Sequence, residues 1–198
     1  MKFKEKRENI FVTIGPGEYY VSDRRVIIST LLGSCVSACL YDQVKGIIGM
    51  NHFLLSNRRY ARNIPVCISE AGRYGIHAME LVINEMMKMG AERKNIRAKA
   101  FGGGSMLQSS GGEDNFFCIG EVNIRFIKEF LKNERIPLVT ADFGGDCGRA
   151  IHFSFDDFAV YVKKIRIAVN PKLIKIEKQY WQKNIEAQEQ QKTELDIW

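Results

Sequence analysis

Two apolar runs, Val36–Leu40 and Ile47–Met50, flank the short polar stretch Tyr41-Asp42-Gln43-Val44-Lys45-Gly46, and they do most to limit what this chain can fold into. Strand-forming runs set that close, with a glycine between them, make a β-hairpin, and a hairpin decides which side chains share a face. Folding it symmetrically about the Gln43–Val44 bond sets Leu40 opposite Ile47 and Cys35 opposite His52. Directly opposed residues of an antiparallel pair hold their Cβ atoms about 4.5–5.5 Å apart on one face. A thiol and an imidazole at that spacing can share a proton, which makes a nucleophile with its base. A slip of one residue would place them on opposite faces. Taken singly, each has a plainer reading: a small core cysteine and a satisfied or surface histidine. Gly33-Ser34 ahead of Cys35 weighs towards chemistry, because a turn of small residues lets a substrate approach the sulfur.

Around the hairpin the pattern is strand-rich. Ile10–Ile14 and Tyr19–Val21 read as strands about a Gly-Pro-Gly turn, and Arg25–Leu31 as a strand reaching Thr30. Ser56–Pro65 is an irregular Arg- and Asn-rich loop that reads either as a substrate contact or as a solvated connection. Ser69–Met89 carries Ile76, Met79, Ile83, Met86 and Met87 at helical spacing and stops at Gly90. Ile96–Phe101 is a strand running into Gly102-Gly103-Gly104, whose missing side chains allow close backbone approach or bare N–H groups. No Gly-Lys-Ser/Thr follows, so this is not a phosphate loop. Gln108–Asn115 reads as a small polar loop. Gly120–Asn133 is a second helix with apolar residues at 122, 126, 127, 130 and 131, and Pro137–Asp142, Ala150–Phe155 and Phe158–Ile165 are strands. Strands that do not alternate regularly with helices favour an α+β domain over a doubly wound parallel sheet.

Residues 1–168 form the expected domain; residues 169–198 form a C-terminal amphipathic helix and a disordered tail. Asn170 caps that helix, with Pro171 at its first position and Leu173, Ile176 and Tyr180 on its apolar stripe. Beyond Glu186 the chain is Gln- and Glu-rich.

The five cysteines, at 35, 39, 67, 118 and 147, contain no Cys-x-x-Cys and match no zinc-ligand spacing. Neither a disulfide framework nor a metal is expected. The charged start Met1-Lys-Phe-Lys-Glu-Lys-Arg-Glu lacks an apolar signal core, and no long apolar stretch occurs, so a cytoplasmic protein without membrane insertion is expected. The formal charge of +6 sits in the body, since five Lys from Lys172 onward are balanced by five acids. Scattered basic residues without a recognition motif argue against nucleic acid and fit an acidic protein partner.

Larger pieces carry a resemblance. Thr30-Leu-Leu-Gly-Ser-Cys-Val-Ser-Ala-Cys-Leu-Tyr-Asp42 followed by Gly49-Met-Asn-His-Phe-Leu-Leu55 resembles the signature of the CheD family of chemoreceptor glutamine deamidases. Ala98-Lys-Ala-Phe-Gly-Gly-Gly104, Ile119-Gly-Glu-Val-Asn123, Asp142-Phe-Gly-Gly-Asp-Cys-Gly-Arg149 and the upstream Gly15-Pro-Gly-Glu-Tyr19 match in the same order, from about Ile14 to about Ile165. The resemblance implies Cys35 as nucleophile, His52 as base and Thr30 as the residue that orients the histidine, with the adjacent hydroxyl of Ser29 as the alternative. Gly33, Ser34, Gly102 and Gly103 then make the candidate oxyanion and substrate loop. It also implies mixed sheets stacked with helices, as in toxin-type cysteine deamidases. The implied reaction needs no cofactor. The implied substrates are methyl-accepting chemotaxis receptors, and a CheC-type phosphatase is a binding partner in the family. Two other classes share the residues: another cysteine acyl-transfer enzyme, or a non-catalytic regulator of a CheC-type phosphatase.

Overall fold

The computed structural model describes residues 1–6, 9–55, 65–68, 70–105 and 119–166, with 175, 179, 180, 182 and 183 of the C-terminal segment. The loops expected at 56–65 and 108–115 lie, apart from Pro65, outside the described residues, as does Cys118.

Among the described residues the chain builds two five-stranded sheets and two long α-helices. The strands are β1 (Lys2–Lys6), β2 (Asn9–Thr13), β3 (Tyr19–Ser22), β4 (Val26–Leu32), β5 (Val36–Asp42), β6 (Ile47–Asn51), β7 (Ile96–Gly102), β8 (Leu138–Phe143), β9 (Cys147–Ser154) and β10 (Val160–Arg166). Helix α1 is Glu70–Lys88 and α2 is Ile119–Asn133. One sheet runs β1-β2-β4-β9-β10 and the other β3-β6-β5-β7-β8. Each is mixed: β2 lies parallel to β4 and β7 parallel to β8, while the other pairs are antiparallel.

Three layers follow from which faces are apolar. Alternate residues of β4, Val26, Ile28, Thr30 and Leu32, point inward, and Ile27, Ser29 and Leu31 point away. The inward set meets Cys35, Cys39, Ile48, Met50 and Leu54 of the second sheet in one core. The other face of that sheet, with Val36, Ala38, Leu40 and Ile47, packs on Met79, Val82, Ile83 and Met86 of α1 and on Phe126 and Ile127 of α2. Strand β5 is therefore buried along its whole length, which explains its unbroken apolar run. The α+β expectation holds. In α1, Val82 takes the core place expected of Met87, which is 42% exposed; the buried stripe is 79, 82, 83, 86, the i, i+3, i+4, i+7 pattern. No helix among the described residues is long and apolar enough to cross a membrane.

The hairpin register differs from the symmetric expectation. Asp42 pairs with Ile47, Leu40 with Gly49 and Cys39 with Met50, so the turn is centred one residue later and the pairing shifts by two. Asp42 is the cause. Fully buried, its carboxylate accepts from the N–H groups of Val44 and Lys45 at 2.9 and 3.0 Å, and from Glu92 N–H at 2.9 Å. This Asx turn draws Tyr41 and Asp42 out of the loop and into the strand. Tyr41 then stacks on Phe158, with ring centroids 5.3 Å apart. Because the shift is even, every side chain keeps its face.

Candidate active site

The pairing of Val36 with Phe53 continues the same register and carries Cys35 opposite Leu54. Cys35 and His52 are thus diagonal neighbours on the inter-sheet face rather than directly opposed. Diagonal Cα atoms are roughly 7–8 Å apart, within reach of longer side chains. Between the two paired stretches the ladder is replaced by side-chain bonds. Ala38 N–H donates to Asn51 Oδ1 at 2.9 Å, and the Ser37 hydroxyl donates to the Asn51 carbonyl. Asn51 Nδ2 reaches across to the Ala78 carbonyl of α1 at 3.1 Å. The residue before the histidine is thereby fastened to the helix layer.

His52 is only 2% exposed. Its backbone is held on both sides by the Gly15–Glu18 turn: Gly17 N–H donates to His52 O at 2.7 Å, and His52 N–H donates to Glu18 O at 2.9 Å. Its Nδ1 lies 2.7 Å from Thr30 Oγ1 on the facing sheet. The Thr30 hydroxyl donates to the Ile14 carbonyl, also at 2.7 Å. One hydroxyl has one proton. With that proton on Ile14 O, the threonine oxygen accepts from Nδ1–H, and the imidazole lone pair falls on Nε2. Nε2 is buried with no hydrogen-bond partner among the described residues, an arrangement suited to accepting a proton. Ser29 points to the other face and bonds His152 Nδ1 at 2.7 Å.

Burial pushes the imidazole down to about 3, against a smaller upward pull from the Glu18 carboxylate. His52 is accordingly neutral across the physiological range. The Glu18 carboxylate is held below its ordinary value, first by its bond to the Met1 amine and also by Gly15 N–H and His52. Glu18 escaped notice as a functional candidate, although it lies in the Gly15–Tyr19 match.

Cys35 is fully buried between the sheets. A cleft of about 140 Å³ opens beside it, lined by Gly17, Glu18, His52, Leu54, Tyr74, His77 and, from the C-terminal segment, Tyr180. Among the described residues the cleft is lined by the histidine. Tyr180 also packs on the inter-sheet core. Its hydroxyl occupies the space a Gly17 Cβ would fill, 2.3 Å from that position.

The glycine run braces Cys35 from below. Gly103 N–H donates to Cys35 O and Gly104 N–H to Gly33 O, both at 2.7 Å. Gly102 has φ +117°, and a Cβ there would lie 2.1 Å from Cys35 O. Of the two uses open to a triple glycine, close approach is the one observed. Gly144 N–H donates in turn to Gly102 O at 3.0 Å. Buried Arg149 holds that next loop through Asp142 Oδ1 at 2.8 Å and Gly144 O at 2.7 Å, which lowers the Asp142 carboxyl.

One further contact was not foreseen. Asn123, wholly buried on α2, donates from Nδ2 to Ser34 O at 3.0 Å and accepts at Oδ1 from Leu55 N–H at 2.8 Å. The signal was available: Asn123 is a polar residue inside the apolar stripe of α2, between Val122 and Phe126.

The geometry is that of a buried cysteine with a tautomer-fixed histidine, set between the layers of an α+β protein. Residues 57–164 match the model of the family described as CheD, chemotactic sensory transduction. A Geobacter sulfurreducens protein named a probable chemoreceptor glutamine deamidase, CheD 1, is 51% identical over 187 residues, covering 94% of this chain and 93% of the relative. A Shewanella oneidensis protein named a probable chemoreceptor glutamine deamidase, CheD 2, is 48% identical over 153 residues, covering 76% of this chain and 74% of the relative. A Methylobacillus flagellatus protein named a probable chemoreceptor glutamine deamidase, CheD, is 43% identical over 166 residues, covering 83% of this chain and 79% of the relative. The chain belongs to the CheD family.

Proposed function

We infer that the protein is a cytoplasmic protein-glutamine deamidase that hydrolyses glutamine side chains of chemotaxis receptors to glutamate. The observation that carries this is the bond from His52 Nδ1–H to Thr30 Oγ1, which leaves the Nε2 lone pair without a partner among the described residues, on the face that bears Cys35. The names of the relatives supply the substrate class.

A side-chain amide is unreactive, so hydrolysis needs a nucleophile, a proton for departing ammonia and a stabilised oxyanion. His52 Nε2 takes the Cys35 proton, and the sulfur attacks the amide carbon of the glutamine. The carbonyl oxygen becomes an oxyanion held by backbone N–H groups near Ser34–Cys35, where each donor is worth about 3–4 kcal/mol. The proton on Nε2 passes to the amide nitrogen, the C–N bond breaks and ammonia leaves, with a thioester remaining. Water then attacks the thioester carbon as Nε2 takes its proton, the C–S bond breaks, the thiolate is reprotonated and glutamate is released. Thr30 does what a carboxylate does in other triads, holding the ring, but it adds no charge and stabilises an imidazolium less.

The test is mass spectrometry of a receptor cytoplasmic fragment incubated with the enzyme. A gain of about one dalton at defined glutamines, with ammonia released and no chain cleavage or cross-link, is the expected result of amide hydrolysis. The same gain with Cys35→Ala would remove Cys35 from the mechanism.

A further inference from the structure

Glu18 lies directly across from His52. Gly15-Pro16-Gly17-Glu18 is a type II turn, with proline second, Gly17 third at φ +79°, and Glu18 N–H closing on Gly15 O at 3.1 Å. Gly17 N–H then donates to His52 O and His52 N–H to Glu18 O. This is a glycine bulge, in which Gly17 and Glu18 together oppose one residue. Beyond it Tyr19 pairs with Asn51 and Tyr20 with Met50. Tyr20 and Met50 belong to the inter-sheet core, so by alternation Glu18 and His52 share that face. The strand order β3-β6-β5 then sets carboxylate, imidazole and thiol side by side at one end of the sheet. Neighbouring strands are about 4.8 Å apart. The strand that bears Glu18 is one step from that of the histidine and two from that of the cysteine. Gly15 N–H donates to Glu18 Oε2 at 2.8 Å and the Met1 amine bonds Oε1; both partners favour the ionised carboxylate. Among the described residues lining the cleft, Glu18 is the one that carries a carboxylate.

We propose that Glu18 is a positioning residue for the deamidation step: from the strand beside His52 its carboxylate supplies the negative charge that Thr30 lacks, and so favours the proton on the ring over the proton on Cys35. The S–H bond breaks, the N–H bond forms on Nε2, and a thiolate and an imidazolium result, while Glu18 stays ionised and takes no proton. Separating those charges between the sheets is costly. A carboxylate nearer the cation than the anion lowers the cost. Its charge already draws the resting ring upward against burial. The Glu18 side chain is 38% exposed, so water screens the charge and the effect is moderate. The proposal rests on the cysteine–histidine reading above.

E18Q keeps the length and an acceptor for Gly15 N–H but removes the charge; E18D keeps the charge and shortens the side chain. Ammonia release from a receptor fragment is measured on the full chain. Expected for E18Q is a roughly 3- to 30-fold fall in kcat with KM within about twofold of wild type, and E18D should retain more activity than E18Q. A glutamate that merely fastened the turn would give the opposite order, since glutamine matches its shape and aspartate does not. Alkylation of Cys35 by iodoacetamide needs the thiolate and no substrate. It should slow in E18Q by a similar factor and slow no further when E18Q is added to H52Q, because the charge acts through the ring. A wild-type kcat in E18Q, E18D weaker than E18Q, or an undiminished effect of E18Q on alkylation in the H52Q background overturns the proposal. H52Q separates the two readings. Turnover by H52Q at the wild-type rate sinks the cysteine–histidine pair, whereas an inactive H52Q beside an E18Q enzyme of undiminished kcat sinks only the part given to Glu18.

Discussion

Thr30 Oγ1 and His52 Nδ1 lie 2.7 Å apart although their strands belong to different sheets. Thr30 comes from the inward face of β4, and His52 follows β6 on the facing layer. The hydroxyl proton goes to Ile14 O, so the threonine acts on the ring as an acceptor. Thr30→Val keeps the volume and removes the acceptor. It should lower kcat roughly tenfold, while His52→Ala should cost the larger factor of about 10²–10⁴ associated with general acid–base catalysis. Ser29→Ala should be near wild type, because Ser29 faces His152. Steady-state ammonia release from the three variants checks the order; a Ser29→Ala enzyme weaker than Thr30→Val would reverse the assignment.

Burial lowers His52 to about 3 from an ordinary value near 6.5. Between those limits the unfolded chain carries a proton that the folded chain does not, so stability falls as pH drops from about 6.5 towards about 3 and is unaffected by His52 above that window. Denaturant midpoints at pH 7.5 and 4.5 should therefore differ less in His52→Gln than in wild type. The kcat/KM profile of the wild type should show no inflection near 6.5 from this residue; one that vanished only in His52 variants would contradict a neutral resting base.

The thiols should rank by environment. Burial pushes Cys39 up to about 12, burial also raises Cys67, and the bond to Asp146 raises Cys147. Cys35 should react first with limiting iodoacetamide near neutral pH, as a thiol paired with a base does. Peptide mapping reads the order, and Cys147 labelled ahead of Cys35 would count against the pairing. Cys39→Ala should keep turnover and lose roughly 1 kcal/mol of stability, as one small group leaving a packed core does.

Gly102→Ala should be the most damaging glycine change at the site. It combines a φ of +117° with a Cβ 2.1 Å from Cys35 O. The backbone strain alone is of order 1–3 kcal/mol, and the clash shifts the nucleophile itself. Melting temperature and turnover should both drop. Loss of one without the other would show that the brace and the nucleophile are mechanically independent.

The C-terminal segment is expected to pack on its own domain. Tyr180, half-buried against the inter-sheet core beside Gly17, is the contact that supports this. Tyr180→Ala should cost about 1–2 kcal/mol, less than a fully buried aromatic, or several degrees in Tm. Truncation after Asn170 should cost at least as much. Unchanged melting with weaker receptor binding would instead make the segment a docking element.

Elements with strong periodicity were legible. The hairpin strands, α2 and most of the buried stripe of α1 follow directly from apolar spacing; Cys35 and His52 stand out by residue type, and Thr30 only through the family resemblance. Strand β1 did not, because its Lys-Phe-Lys-Glu-Lys pattern is mostly charged and gains its place by pairing with β2. The hairpin register was missed by two because the Asx turn at Asp42 depends on a carboxylate that bonds three N–H groups at once, one of them fifty residues away at Glu92. Asn51 and Asn123 were passed over for a related reason. Each bridges segments far apart in the chain, and a pattern read along one strand or helix does not report what lies across from it.

The Thr30–His52 contact across two layers is a built-in gauge of shear. Sliding one sheet over the other by about half an ångström costs little in apolar area, yet it is the tolerance within which a catalytic constellation must be held. Substitutions at Ile28 or Ile151, in the core between the sheets, would then slow turnover at temperatures where the fold is still intact. Activity loss would precede melting, and the gap between the two curves would measure how firmly the sheets are keyed together.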